Sequence, residues 1–329
     1  MTPGAGDPSA AAPPQPMRPG PPAAWRPRPY QQLLRGPTYR WWRPLVSVLV
    51  AFGSGVVLAV AAWLVLIAIL PATTIDAGSD DWSVTPFGFA WTNLLLAAFV
   101  PVAMLATWGG YGWSPRWVSS VAPGLRWWWL ARCALVAAPV LGVSIVGSEV
   151  LSHWAWTPEP SWPWLVLVVL LTTPLQSAGE EYLFRGWIPQ LIGSTIPRAG
   201  VAALVGGAVS SGLFALAHGQ QDGWLFADRF LFGVLASVLV WRTGGLEAGI
   251  ALHASNNVIG LLLTVGSGSL NDTLNASEST PQFFLIDAVT LLVAVGGILW
   301  VARRRRLQRL FVPPAELVPT PLPAPGAGA

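Results

Sequence analysis

Three groups of ionisable or amide-bearing side chains interrupt otherwise apolar stretches in the second half of this chain. The first is Gly179-Glu180-Glu181-Tyr182-Leu183-Phe184-Arg185. Glu181 and Arg185 are four apart, so on a helix they share a face and can pair. Glu180 then points about 100° away and is free to face a cavity. The second group runs from Phe214 to His218, again four apart. The third is His253-Ala254-Ser255-Asn256-Asn257, in which His253 and Asn257 project together. Singly, each has a plain structural explanation: an ion pair at a helix end, an interfacial histidine, hydrogen bonds between helices. Together they supply what peptide hydrolysis needs. A carboxylate and a histidine can hold and deprotonate a water, and further N–H donors can meet the developing oxyanion. Apolar surroundings strengthen each of these contacts by excluding bulk water.

The elements that must position these groups are membrane helices. The 329 residues are 53% hydrophobic and 10% charged, with mean hydropathy +0.55, against about 25% charged residues in a soluble domain. Eight apolar segments approach the ~20 residues needed to cross hydrocarbon: Leu45–Leu70, Phe87–Trp108, Trp127–Leu151, Trp162–Gly179, Gly200–Ala217, Leu225–Trp241, Leu246–Val265 and Phe283–Ala302. Backbone polar groups in lipid must be satisfied within the segment, which selects helices. The expected fold is therefore all-α, a bundle of about eight transmembrane helices with Pro-rich tails. Its 20 Trp residues suit the two interfaces. The single Cys133 excludes a disulfide framework or a Cys-based metal site.

Loop charges alternate. Arg18, Arg26, Arg28, Arg35, Arg40 and Arg43 precede the first segment, and the first loop holds Asp76, Asp80 and Asp81. Arg116 and Arg126 follow in the second loop, Glu159 in the third, Arg185 and Arg198 in the fourth, and Asp222 in the fifth. Arg242 sits in the sixth loop and Asp272 and Glu278 in the seventh, before the run Arg303–Arg306 and Arg309. The positive-inside rule puts both termini in the cytoplasm. The net charge of +3 is thus read as membrane anchoring, with the lipid bilayer rather than nucleic acid as partner. Absence of Lys beside abundant Ala, Gly and Pro points to GC-rich coding and a bacterial plasma membrane. Residues 1–40 read as a disordered cytoplasmic tail, 41–158 as helices one to three, 159–302 as the catalytic helices four to eight, and 303–329 as a basic, Pro-rich tail.

The ordered set Glu180-Glu181-Tyr182-Leu183-Phe184-Arg185, Phe214 to His218 and His253 to Asn257 resembles the signature of the CPBP family, the CAAX proteases and bacteriocin-processing enzymes also called Abi. Phe232-Gly233 through Thr243-Gly244-Gly245-Leu246 resembles the family's link between the later motifs, with Ala236 where many members have Gly. The resemblance covers about Thr172–Gly260 and implies an intramembrane endopeptidase acting on a peptide or protein substrate at the membrane. In that reading Glu180 and His218 activate water, His253 and Asn257 stabilise the oxyanion, and Glu181 with Arg185 orients the site. Glu180, His218 and His253 are also a conceivable zinc set, and a metal-free mechanism suits the same residues. An ion-coupled transporter, in which buried Glu, His and Arg form a proton path, is the rival class; a non-catalytic immunity protein keeping the fold is another. Counting from the Arg loops leaves Glu180 near the inner side and His218 near the outer end of its span. A shared water requires helix four to continue past Arg185, or helix five to tilt or start within the cytoplasm.

Overall fold

The computed structural model describes residues 27–36, 39–69 and 85–313. Eight helical stretches are long and apolar enough to cross a membrane. The first, α1 (Arg43–Ile69), exposes Leu49, Phe52, Val57, Trp63 and Leu64 around its surface, the pattern of a helix immersed in lipid. It touches the rest where Ser47 lies against Gly110; a Cβ on Gly110 would meet Ser47 at 2.5 Å.

The second stretch is bent, α2 (Pro86–Ala97) and α3 (Phe99–Tyr111) meeting at Ala98. Pro101 explains the bend, because its ring displaces the carbonyl four residues earlier and donates no hydrogen bond. Next come α4 (Trp127–Leu151) and α5 (Trp162–Glu180). A π-helical turn, Glu181–Trp187, carries α5 without a break into α6 (Ile188–Thr195). Then follow α7 (Ala199–Leu216), α8 (Gly223–Thr243), α9 (Glu247–Ser267), the short α10 (Leu270–Leu274) and α11 (Pro281–Arg304).

The fourth span therefore does not stop at Gly179. The stretch Trp162–Thr195 holds 34 residues, and this answers the depth question. At about 1.5 Å per residue, Glu180 stands about 22 Å from Thr195 and His218 about 28 Å from Ala199, so both reach nearly the same level.

Two short strands correct the reading of the tails. β1 (Arg28–Pro29) pairs antiparallel with β2 (Leu310–Phe311). Tyr30, Leu33 and Leu34, all fully buried, pack beneath the bundle, and the Tyr30 hydroxyl donates to the Val118 carbonyl. Three large apolar side chains in a Pro- and Arg-rich stretch sufficed to dock it, a signal that composition averages away. The expectation for residues 1–26 and 314–329, and the loop acids Asp76, Asp80 and Asp81, lie outside the described residues. Because β1 precedes the first span and β2 follows the last, both lie at one end of the bundle, as an even number of crossings requires.

Behind the site, Trp129 and Leu141 of α4 and Leu291 and Ile298 of α11 form one apolar cluster with Phe184, Phe214, Phe232 and Leu252. Ala236 of α8 is fully buried in the same cluster, so a small side chain serves there.

Candidate active site

Close backbone approach sets the carboxylates. Gly179 lies against the backbone of α2: a Cβ there would stand 2.1 Å from the Leu96 carbonyl oxygen. Directly after it the helix widens into the π turn, a feature that often marks functional sites. Glu181 and Arg185 still pair, Oε1 to Nη1 at 3.0 Å, with both side chains fully buried. The guanidinium also lies 4.0 Å from the Phe214 ring centroid and 5.6 Å from that of Phe232. Among the described residues Arg185 Nε, Nη1 and Nη2 make no hydrogen bond, so the guanidinium is held by the charge of Glu181 and by the aromatic faces.

His253 of α9 sits between the two carboxylates. Its Nδ1 is 3.0 Å from Glu181 Oε1 and its Nε2 3.5 Å from Glu180 Oε2. The Phe232 and Phe214 rings flank the imidazole at 5.1 Å and 5.8 Å. Room for Glu181 comes from Gly249, one turn earlier on α9, where a Cβ would stand 2.5 Å from Glu181 Oε2.

Glu180 is held on its other oxygen. Gln176 Nε2 donates to Glu180 Oε1 at 2.8 Å, and Asn257 Nδ2 donates to Gln176 Oε1 at 3.3 Å. Glu180 Oε2 has no hydrogen-bond partner among the described residues. Gln176 was missed by the sequence reading, although its place four residues before Glu180 was the available signal.

His218 stands across the Phe214 ring, the two centroids 4.7 Å apart. Its Nδ1 donates to the Phe214 carbonyl at 2.8 Å, leaving Nε2 as the acceptor of a neutral imidazole. Unlike the other site residues it is exposed on one side. Burial of the remainder lowers its pKa below 6.5, against smaller upward contributions from the Phe214 carbonyl and the Glu180 charge. No hydrogen bond or ion pair joins His218 to either glutamate among the described residues. Glu180, Glu181, Arg185, Phe214, His253 and Asn257 are thus in one connected cluster, and His218 borders it.

Of the conceivable zinc set, Glu180 and His253 are in contact, and His218 meets the Phe214 ring that also flanks His253. Both ring nitrogens of His253 face carboxylates, and the Phe214 ring lies between the two histidines. Among the described residues no three His, Cys, Asp or Glu side chains are placed to hold a metal ion.

A second buried ion pair escaped the sequence reading. Arg126, before α4, donates through Nη2 to Glu247 Oε2 at 2.7 Å and through Nε to Oε1 at 2.9 Å. Glu247 is fully buried in the first turn of α9. This bidentate clamp fixes the end of α9 from which His253 is counted, and Gly245 allows it: a Cβ there would lie 2.4 Å from Glu247 Oε2. A lone acid at the start of an apolar helix was the legible hint.

Two curated proteins are similar to part of this chain. The uncharacterized protein YyaK of Bacillus subtilis (strain 168) is 26% identical over 155 residues, covering 44% of this chain and 50% of that protein. An uncharacterized 24.3 kDa protein of Escherichia coli is 34% identical over 105 residues, covering 32% of this chain and 47% of that protein. The chain thus spans about half the length of the curated relatives it matches. No solved structure matches. Residues 160–259, which carry all three motifs and every contact around His253, match the family described as type II CAAX prenyl endopeptidase Rce1-like.

Proposed function

We propose that the protein is an intramembrane endopeptidase that hydrolyses a peptide bond in a membrane-associated substrate with a water activated by Glu180 and His218. The observation that carries this reading is the buried cluster in which Glu180 Oε2, without a hydrogen-bond partner among the described residues, faces His253 Nε2 at 3.5 Å.

Glu180 Oε2 accepts a hydrogen bond from the attacking water and takes its proton as the oxygen adds to the scissile carbonyl. His218, neutral and with Nε2 available, polarises the same water from the open side. His253 and Asn257 offer N–H donors to the charge that develops on the carbonyl oxygen. Collapse of the tetrahedral adduct breaks the C–N bond, and the proton held by Glu180 passes to the leaving amine. Glu181 and Arg185 touch neither water nor substrate in this scheme. They hold the His253 imidazole, while Gln176 holds the far oxygen of Glu180.

The alternation of Arg-bearing and Arg-free loops supports a plasma-membrane protein with both termini in the cytoplasm. The site is then entered from the bilayer.

The test is cleavage of a membrane-associated peptide by the purified chain in detergent. Activity lost on Glu180→Ala and retained on Glu149→Ala, a change on α4 away from the cluster, supports the proposal. Equal cleavage by both variants sinks it, as does no cleavage by the wild type, the result an ion-coupled transporter or an immunity protein would give.

A further inference from the structure

The Arg run after α11 does more than mark a membrane side. Of its four consecutive arginines only Arg303 and Arg306 line a cavity of about 270 Å³, together with Arg242 from the end of α8 and Arg309. Leu299, one turn deeper on α11, and Leu307 form its apolar wall. Arg304 instead stacks on Trp300, its Cζ 5.3 Å from the ring centroid. Among the described residues no carboxylate pairs with any of the four cavity arginines. All four arginines are exposed, so water and salt screen their mutual repulsion, yet an anion among them is still favoured.

These side chains are carried on ordered backbone. The Leu307 N–H bonds to the Ala302 carbonyl at 3.2 Å and the Arg306 N–H to the Arg303 carbonyl at 3.1 Å, the two bonds of a Schellman cap. Arg306 occupies its left-handed position, φ 49°, where glycine is favoured. The chain keeps an arginine there, and that arginine faces the cavity. Arg126 Nη1 then donates to the Gln308 carbonyl at 3.1 Å, β2 pairs with β1, and the Arg309 backbone packs on Gly244.

We infer that this cavity binds the phosphate headgroup of an anionic phospholipid. The volume suits a small polar group. The cavity lies where two spans end, its Arg242 and Arg303 following Trp241 on α8 and Trp300 on α11 in sequence, at headgroup depth. Leu299 and Leu307 provide the apolar wall along which a lipid's glycerol and first methylenes run, a wall a free anion has no use for. Basic pockets between helices on the inner side recognise such headgroups. Four arginines also repel the cation of a zwitterionic choline lipid. This inference stands apart from the proteolytic reading and does not require it.

The purified full chain is titrated with phosphatidylglycerol in neutral detergent and bound lipid is counted by native mass spectrometry, with phosphatidylcholine and inorganic phosphate as comparison probes. Two variants remove the same charge from the same helix end, R303Q/R306Q and R304Q/R305Q. The expected result is one phosphatidylglycerol on the wild type and on R304Q/R305Q with like affinity, at least tenfold weaker binding to R303Q/R306Q, and no retained phosphatidylcholine. Equal weakening of both variants, or wild-type binding by R303Q/R306Q, overturns the site. Displacement of the lipid by millimolar phosphate overturns the lipid assignment. Should R303Q/R306Q not fold, R242Q on α8 takes its place and is expected to weaken binding about fivefold.

Discussion

Arg185 has no exposed surface, and its one carboxylate, Glu181, is 3.0 Å away. Glu181→Gln keeps the shape and removes the charge, leaving a guanidinium that only the Phe214 and Phe232 rings accompany. Those ring contacts are present before and after, so they do not soften the change. Breaking a buried pair from one side costs about 3–5 kcal/mol. Arg185→Met strands Glu181 instead, but His253 Nδ1 remains beside it at 3.0 Å, so its loss falls at the lower end, about 3 kcal/mol. The double variant Glu181→Gln/Arg185→Met buries no unpaired charge and should lose less than either single change. The coupling is then on the order of 3 kcal/mol. Reversible unfolding in mixed micelles, followed by loss of helix signal, measures the cycle. Cleavage should not return with stability in the double variant, because His253 has lost the carboxylate that orients it; at least ~10²-fold lower activity is expected in both variants that carry Glu181→Gln. Additivity of the single changes within about 0.5 kcal/mol would refute the claim that this pair is one buried unit.

Other consequences follow from the same geometry. Gly249→Ala drives a methyl into Glu181 Oε2 at 2.5 Å and should reduce both stability and cleavage, whereas Gly260→Ala, with nothing within 4 Å on the same helix, should leave both unchanged; a thermal melt and an activity assay of the two decide it. Gln176→Leu removes the donor to Glu180 Oε1 and should lower kcat more than it raises KM, with Gln176→Asn recovering little because its amide is one methylene short. The His218 pKa lies below 6.5, so the neutral base persists to lower pH than in a free histidine and the acid limb of kcat/KM should fall below pH 6.5. The same depression means the unfolded chain binds its proton first, so stability should decline as pH drops below about 6.5. An acid limb above that value would contradict the placement of His218.

The residues of the buried cluster were legible because charge inside an apolar helix is expensive and therefore conspicuous. Glu180, Glu181, Arg185, His253 and Asn257 needed only four-residue spacing to be grouped. Gln176 was harder to see, since an uncharged amide in an apolar run announces itself less than a carboxylate does. The π turn at Glu181–Trp187 left no local mark, because one extra residue per turn depends on packing against α3 and α7 rather than on propensity. For the same reason the relative depth of Glu180 and His218 could be posed but not answered: the continuation of helix four to Thr195 rests on contacts with a segment that composition assigned to a tail. The Arg126–Glu247 clamp joins residues 121 apart in sequence, a pairing that only the fold reveals.

The central claim is that buried carboxylates and imidazoles are gathered around a water to cut peptide bonds. Terminal proteomics of membranes from cells carrying either the wild-type chain or Glu180→Gln tests it even while the substrate is unidentified. The account predicts at least one membrane-associated protein whose new terminus is present with the wild type and absent with the variant. Identical sets of termini, with both proteins present at equal levels in the membrane, would contradict it.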